Sequence, residues 1–266
     1  MNTGIGNLAS EPIGPVCPLT VRTASMTQRW DRLTFLHWAY EPSVVQSLLP
    51  LGLTVQTFDG AAWVGLVPFY MVVRPGRGPA VPWLSRFCET NVRTYVTAAD
   101  GTFGVWFFSL DAARLPAVVA GRVGYRLPYY WSSMTLEETG PNIHYTCDRR
   151  WPHTPQLHAE HTSEAVSGSD ARSNVEVVRG EQIAPDELTD REHFLSARWR
   201  LYSHGPKGIK TAVAWHEPWV LHRATVVTVD DTLVTAAGLP RPTEAPIVHY
   251  SPGVDVRIGF PHRVSG

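Results

Sequence analysis

From Trp30 onward, apolar and polar residues alternate with the two-residue period of β-strands far more often than with the 3.6-residue period of helices. LTFLHW (33–38) predicts a strand. EPSVVQSLLP (41–50) follows as a short helix, with Pro42 where it begins and Pro50 where it must stop. LTVQTF and AAWVGLVPFYMVV flank Asp59-Gly60, a pair that favours the tight turn of a hairpin, so strands are expected over 53–58 and 61–73. A Pro/Gly-rich loop (74–86) leads to a second hairpin, in which 87–97 pairs with 103–109 across Asp100-Gly101.

Ser109 or Asp111 can cap a helix over roughly 112–122, with Pro116 tolerated only near its first turn. LPYYWSSMTLEE, NIHYTCDRR and SNVEVVRGE read as strands, the last two separated by a polar stretch reaching to 172. APDELTDREHFLSAR (184–198) is the clearest helix: Pro185 at its start, acids in its first turns, Phe194 and Leu195 on its apolar side. WRLYS, IKTAVAWHE, TVVTVDDTLVTAAG and VDVRIG complete the strands. The pattern predicts one α+β domain over 26–266, a mainly antiparallel, curved or closed β-barrel with two or three helices. A flexible leader rich in Gly, Pro, Ser and Thr precedes it over 1–25.

Bulk properties narrow the function. The net charge of -1, with Arg scattered among Asp and Glu, argues against a nucleic-acid partner. No run of 18 apolar residues argues for a membrane span, and the N-terminus lacks the charged and apolar regions of a secretory signal. Cys17, Cys88 and Cys147 are too few and too far apart for a disulfide framework or a zinc knuckle, which suits a reducing, cytoplasmic setting. Lys207 and Lys210 are the only lysines, so any imine chemistry has two candidates. No phosphate-cradling loop, dinucleotide fingerprint or nucleophile elbow is present, and no cofactor is expected.

The stretch FCETNVRTYV (87–96) carries the candidate chemistry. As a strand it puts Glu89, Asn91, Arg93 and Tyr95 on one face and Cys88, Thr90, Val92, Thr94 and Val96 on the other. The polar row is either a solvated exterior or the lining of a cavity. In a cavity, desolvation raises the pKa of Glu89 unless Arg93 compensates, making Glu89 a general acid or base. Arg93 offers two parallel donors to a carboxylate or enolate, and Asn91 and Tyr95 orient a carbonyl. A buried, mutually satisfied Glu89–Arg93 ion pair is the bland alternative.

His37 shares the phase of Leu33 and Phe35, where a core role competes with a ligand contact. His216 sits at a turn edge in HEPW, and Arg122 and Tyr125 just before an LPY turn. These four are further candidate ligand-binding residues. His158, Glu160 and His161 form HAEH in a loop-like segment without the helical HExxH spacing, so no metal site is expected.

Several segments together resemble a known family. FLHW (35–38), FDGAAWVGLVPF (58–69), ETNVRTYV (89–96), GVWFFSLDA (104–112), YRLPY (125–129), HEPWVL (216–221) and HYSPGVDV (249–256) look like the YqjF-like family of uncharacterised bacterial proteins, over about residues 29–260. That family is grouped by fold with the acetoacetate decarboxylase-like superfamily, which implies a cone-like, partly closed barrel enclosing a ligand cavity. In the decarboxylases a strand glutamate and a lysine after a Gly-aromatic-Pro turn form the reacting pair. Glu89 looks like that glutamate, whereas GYRLPYY (124–130), the segment resembling the turn, contains no lysine. FLSARWRLY (194–202) departs again, with Ala197 and Trp199 where relatives commonly carry an acid and a tyrosine.

The expectation is therefore a barrel binding a small carbonyl- or carboxylate-bearing molecule. If catalytic, it is a cofactor-independent lyase, dehydratase or isomerase working without a Schiff base, with Glu89 and Arg93 as catalytic residues. The alternative is a binding or sequestration protein using the same cavity. A homo-oligomer is compatible with the sequence, which carries no heptad run and no internal repeat.

Overall fold

The structure is a computed structural model describing residues 14–76, 78, 83–152 and 171–264. Its strands in chain order are β1 (Met26–Tyr40), β2 (Leu53–Val55), β3 (Thr57–Phe58), β4 (Ala61–Pro75), β5 (Arg86–Ala98), β6 (Phe103–Ala112), β7 (Tyr129–Thr139), β8 (Asn142–Trp151), β9 (Arg172–Gln182), β10 (Arg200–Gly205), β11 (Gly208–His216), β12 (His222–Asp231), β13 (Ile247–Ile258) and β14 (His262–Arg263). The helices are short: α1 (Pro42–Ser47), α2 (Leu115–Ala120), α3 (Asp190–Ser196) and α4 (Leu233–Ala236). Among the described residues no helix is long and apolar enough to cross a membrane.

The strands form one mixed sheet that closes on itself twice. One circuit runs through nine strands, β6-β7-β8-β9-β12-β13-β1-β4-β5, and returns to β6. The β11–β13 pairing closes a shorter circuit through β6-β10-β11-β13-β1-β4-β5. Strands β13, β1, β4, β5 and β6 therefore belong to both circuits, and side-chain alternation gives each circuit one face of this wall. Leu36, Leu66 and Val92 join the core cluster that includes Ile143 and Tyr145 of β8 and Val175 and Val177 of β9. Leu33, Val67, Phe69 and Phe87 lie on the opposite face, in a cluster with Ala214 of β11 and Val256 of β13.

Two irregularities aim the wall. In β1, Arg32 takes a left-handed φ of 50°, and the register with β4 slips between Asp31 and Leu36. The inward phase thereby changes from even positions (Met26, Gln28, Trp30) to odd ones, beginning at Leu33. In β6 an extra residue, Phe108, lies between the partners of Val92 and Arg93, so that Phe107 and Leu110 face the same way.

Most predicted elements are present with shifted ends. The Asp59-Gly60 turn has both residues at positive φ, 51° and 77°, as a two-residue hairpin loop demands. The expected 112–122 helix starts later, at Leu115, because Pro116 fits only in a first turn, and continues as a π-helical turn, Gly121–Tyr125. The 184–198 helix is a 3-10 turn, Pro185–Glu187, followed by α3, whose Thr189 and Glu192 form a capping box. TVVTVDDTLVTAAG, read as a strand, is corrected: β12 ends at Asp231, whose carboxylate accepts from the Val234 N–H at 2.9 Å and opens α4.

Candidate functional site

Glu89, Asn91 and Arg93 line a cavity of about 160 Å³ inside the shorter circuit. They are 2%, 5% and 7% exposed, and Tyr95 on the same face is fully buried, so the polar row is not a solvated exterior. The antiparallel register sets Glu89 against Phe69 and Ala112, Asn91 against Val67 and Leu110, and Arg93 against Gly65 and Phe107. The polar groups thus stand in file along one strand between apolar walls. On the other face of β5, Val92 belongs to the core cluster that includes Ile143 and Tyr145 of β8 and Val175 and Val177 of β9.

Among the described residues Glu89 has one side-chain partner, the Tyr129 hydroxyl, which donates to Oε2 at 3.0 Å. Burial pushes the Glu89 carboxyl up to about 8. The Tyr129 hydrogen bond opposes that rise and the negative charge of Asp111 adds to it. Burial and the Glu89 charge push Tyr129 well above the usual phenol value, so it remains a donor. At neutral pH the arrangement is a protonated carboxyl with one oxygen occupied. Tyr129 arrives there because α2, the π turn and Pro128 fold back over the wall. A Cβ on Gly121 would collide with the Tyr129 ring, so only glycine lets that ring reach Glu89.

Arg93 does not pair with Glu89, contrary to the compensated or ion-paired arrangement the sequence allowed. Four residues apart on an extended strand their Cα atoms are separated by about 13 Å. The guanidinium instead donates from Nη2 to Leu195 O at 3.4 Å and to the Tyr95 hydroxyl at 3.5 Å, and lies 5.3 Å from the Phe35 ring centroid. No carboxylate reaches it among the described residues, and its buried Nε is unpartnered, as is Asn91 Oδ1.

Behind Arg93 the network is tight. Tyr95 donates its one proton to Leu195 O at 2.5 Å, so the 2.6 Å contact with His37 Nε2 requires the histidine to be the donor. His37 Nδ1 is then a bare acceptor with no partner. Burial, with the charges of Arg93, His249 and Arg198 adding to it, holds His37 well below the usual imidazole value. The neighbouring Gly65 is required sterically, since a Cβ there would lie 2.9 Å from His37 Nε2 and 3.5 Å from Arg93 Cγ.

The remaining candidates divide. Tyr125 lines the cavity, its hydroxyl bonded to Ser25 Oγ and to Gly259 O at 3.3 Å. His37 and Tyr95 support Arg93 without lining the cavity. Arg122 is exposed and donates to Tyr129 O at 2.5 Å, so it holds the turn and does not face the cavity. His216 is enclosed by Trp199 and Trp219, with ring centroids at 4.5 and 4.9 Å, and its Nδ1–H donates to Glu217 O at 2.6 Å. Burial takes His216 down to about 4, and Trp30 lies between it and the cavity.

Lys207, Lys210, Ala197 and Trp199 are off the cavity wall, and Trp199 packs on His216. HAEH lies outside the described residues, among which no cluster of metal-ligating side chains occurs. Tyr129 was missed as a partner of Glu89. Its signal was an isolated glycine eight residues before it, of the kind that marks a close approach.

The model of the DUF2071 family, described as an uncharacterized conserved protein, matches residues 27–255. The chain is 29% identical over 232 residues to the uncharacterized protein YqjF of Bacillus subtilis strain 168, covering 87% of this chain and 89% of that one. Among solved structures it is similar to an acetoacetate decarboxylase-like enzyme from Sphingomonas wittichii RW1, at a TM-score of 0.58 and 13% identity over 93% of this chain and 96% of that one. Acetoacetate decarboxylase from Legionella pneumophila gives 0.57 and 12% over 94% and 92%. The enduracididine biosynthesis enzyme MppR, complexed with pyruvate, gives 0.57 and 12% over 94% and 93%. A twice-closed sheet around a buried glutamate, with a family match across nearly its whole length, places this chain in the DUF2071 family, on the acetoacetate decarboxylase-like fold.

Proposed function

We propose that the cavity binds a small organic molecule bearing a carbonyl and a carboxylate, and that Glu89 transfers a proton to or from it without a cofactor or a Schiff base. The observation that carries this reading is the Glu89 carboxyl itself. It is buried on the cavity wall, held by a single phenol, and shifted to about 8, where it gives up or takes a proton near neutrality. Arg93, cationic and without a carboxylate partner, supplies the site for the ligand's negative charge. Support from likeness is limited to scaffold: MppR, which shares the fold, was solved with pyruvate.

Among the described residues imine formation has no amine to use, because neither lysine lines the cavity. The test is deuterium exchange at the carbon beside the carbonyl, followed by NMR for a panel of oxo acids of varied length in D2O. Wild type is expected to speed exchange and Glu89→Gln to abolish it while retaining affinity. Exchange that persists in Glu89→Gln overturns the assignment. A second reading, capture without turnover, draws on the predominantly apolar wall between Glu89 and Arg93. It predicts binding with no exchange in either protein.

A further inference from the structure

Arginine and lysine are scattered along the sequence, but the fold gathers many of them at one end of the shorter circuit. Strand direction brings to that rim residues 22–26 at the start of β1, 74–76 and 83–86 between β4 and β5, and 112–128 between β6 and β7. Residues 205–210 between β10 and β11 join them, because β10 runs parallel to β6, as do 258–264 at the end of β13. None of these stretches contains an aspartate or a glutamate, and both lysines of the chain fall within them. Arg86, Arg122, Arg126, Lys207 and Arg263 are exposed there. In a chain of net charge -1 this rim is a cationic pole among the described residues.

The same rim also exposes apolar side chains. Leu115, Val119 and Val123 recur at four-residue intervals along α2 and the π-helical turn, Val123 at 75% exposure. Phe260 is 62% exposed. Trp83 is 69% exposed, and its ring centroid lies 4.7 Å from the Arg114 guanidinium. Cations and apolar groups form one surface: the Tyr125 hydroxyl bonds Gly259 O, next to Phe260, at 3.3 Å, and Arg126 and Lys210 both pack beside Gly205. Aromatic and aliphatic side chains standing among cations, without a carboxylate, suit the boundary between lipid headgroups and acyl chains.

We propose that this rim docks on an anionic lipid bilayer, with Trp83, Val123 and Phe260 entering the headgroup layer and the surrounding Arg and Lys meeting lipid phosphates. Charge complementarity selects this partner. A nucleic acid would satisfy the cations and leave the exposed aliphatic side chains in water. A second copy docked by two-fold symmetry would set the cationic rim against itself. Docking places the cavity roof, formed by Ala117, Gly121 and Tyr125, against the bilayer.

The experiment is co-sedimentation of the full chain with vesicles of phosphatidylcholine alone, or of phosphatidylcholine mixed equally with phosphatidylglycerol. The protein is expected to bind the mixed vesicles at least tenfold more tightly, and sodium chloride at about 0.5 M is expected to release it. Trp83→Ser with Phe260→Ser, which leaves the charge unchanged, is expected to weaken binding at least tenfold. Arg86→Gln with Lys207→Gln, which leaves the apolar side chains in place, is expected to do the same. These positions are exposed, so melting temperatures should match wild type.

No preference for the mixed vesicles overturns the proposal. Undiminished binding by the Trp83→Ser, Phe260→Ser protein overturns it in favour of a purely ionic site, which a single-stranded oligonucleotide bound with the same salt dependence would identify. A dimer seen by light scattering without vesicle uptake overturns it in favour of a second copy of this chain.

Discussion

Tyr129 donates a hydrogen bond from its hydroxyl to Glu89 across 3.0 Å, and the two meet only because a glycine at 121 leaves room for the phenol ring. The bond fixes one carboxyl oxygen and leaves the other to the cavity. It also explains how a carboxyl this deeply buried is satisfied without a cation. Several consequences are measurable.

Glu89→Gln is expected to stabilise the fold at neutral and alkaline pH. The folded value of about 8 exceeds the ordinary 4.5, so the native state holds its proton more tightly than the unfolded chain. Stability from this group is complete below about pH 4.5 and is lost as pH rises toward 8. At pH 7 the charge the unfolded chain adopts freely costs the native state about 3 kcal/mol, an upper bound from linkage. Thermal melting across this range checks it: the variant melts higher than wild type at about pH 8, and the gap closes toward pH 4.5.

Gly65→Ala is expected to damage the Arg93 end selectively. The new methyl would sit 2.9 Å from His37 Nε2, and His37 is locked to Tyr95, whose proton is committed to Leu195 O. The cost is about 1–3 kcal/mol of stability, as for overpacking elsewhere. Calorimetry should also show weaker binding of oxo acids, with neutral ketones less affected.

The polar row of β5 was legible in the sequence because strand alternation is a strict period, and FCETNVRTYV keeps it without interruption. Which face was inward required the shorter circuit, formed when β10 and β11 close onto β6 and β13. Those pairings are long-range and leave no local mark. His216 looked reachable at a turn edge, but Trp219 of the same turn and two tryptophans from elsewhere in the chain, Trp30 and Trp199, enclose it. Pairing Glu89 with Arg93 treated residues four apart as neighbours, which is true on a helix and untrue on a strand. The family resemblance supplied the closed architecture, which alternation alone does not distinguish from an open sheet.

Arg149→Met is expected to destabilise the protein by about 3–5 kcal/mol. Arg149 grips both oxygens of Asp111 at 2.8 and 2.7 Å, stacks 3.7 Å from the Tyr130 ring centroid, and shares Asp111 Oδ1 with Ser132. Removing the cation leaves a wholly buried carboxylate unpaired. Replacing Asp111 with Leu in the same variant should recover much of the loss, because the uncompensated charge is then gone. Neither residue is on the cavity wall, so ligand affinity of the folded variants should match wild type in titration.

Tyr129→Lys is expected to create the amine this cavity lacks. The side chain at 129 follows Pro128 and already contacts Glu89, so a lysine there would carry its nitrogen into the cavity past the bare face of Gly121. Burial lowers a lysine's pKa, leaving a fraction of neutral amine near neutrality. That amine can add to a ligand ketone and expel water to form an imine, which borohydride reduces to a stable secondary amine detectable by peptide mass mapping. Wild type should show no adduct, since Lys207 and Lys210 lie off the wall, and Tyr129→Met should bind ligand without trapping. A wild-type adduct would defeat the exclusion of imine chemistry. A Tyr129→Lys protein that binds the oxo acid but never traps it would show that the carbonyl does not come to rest beside Glu89.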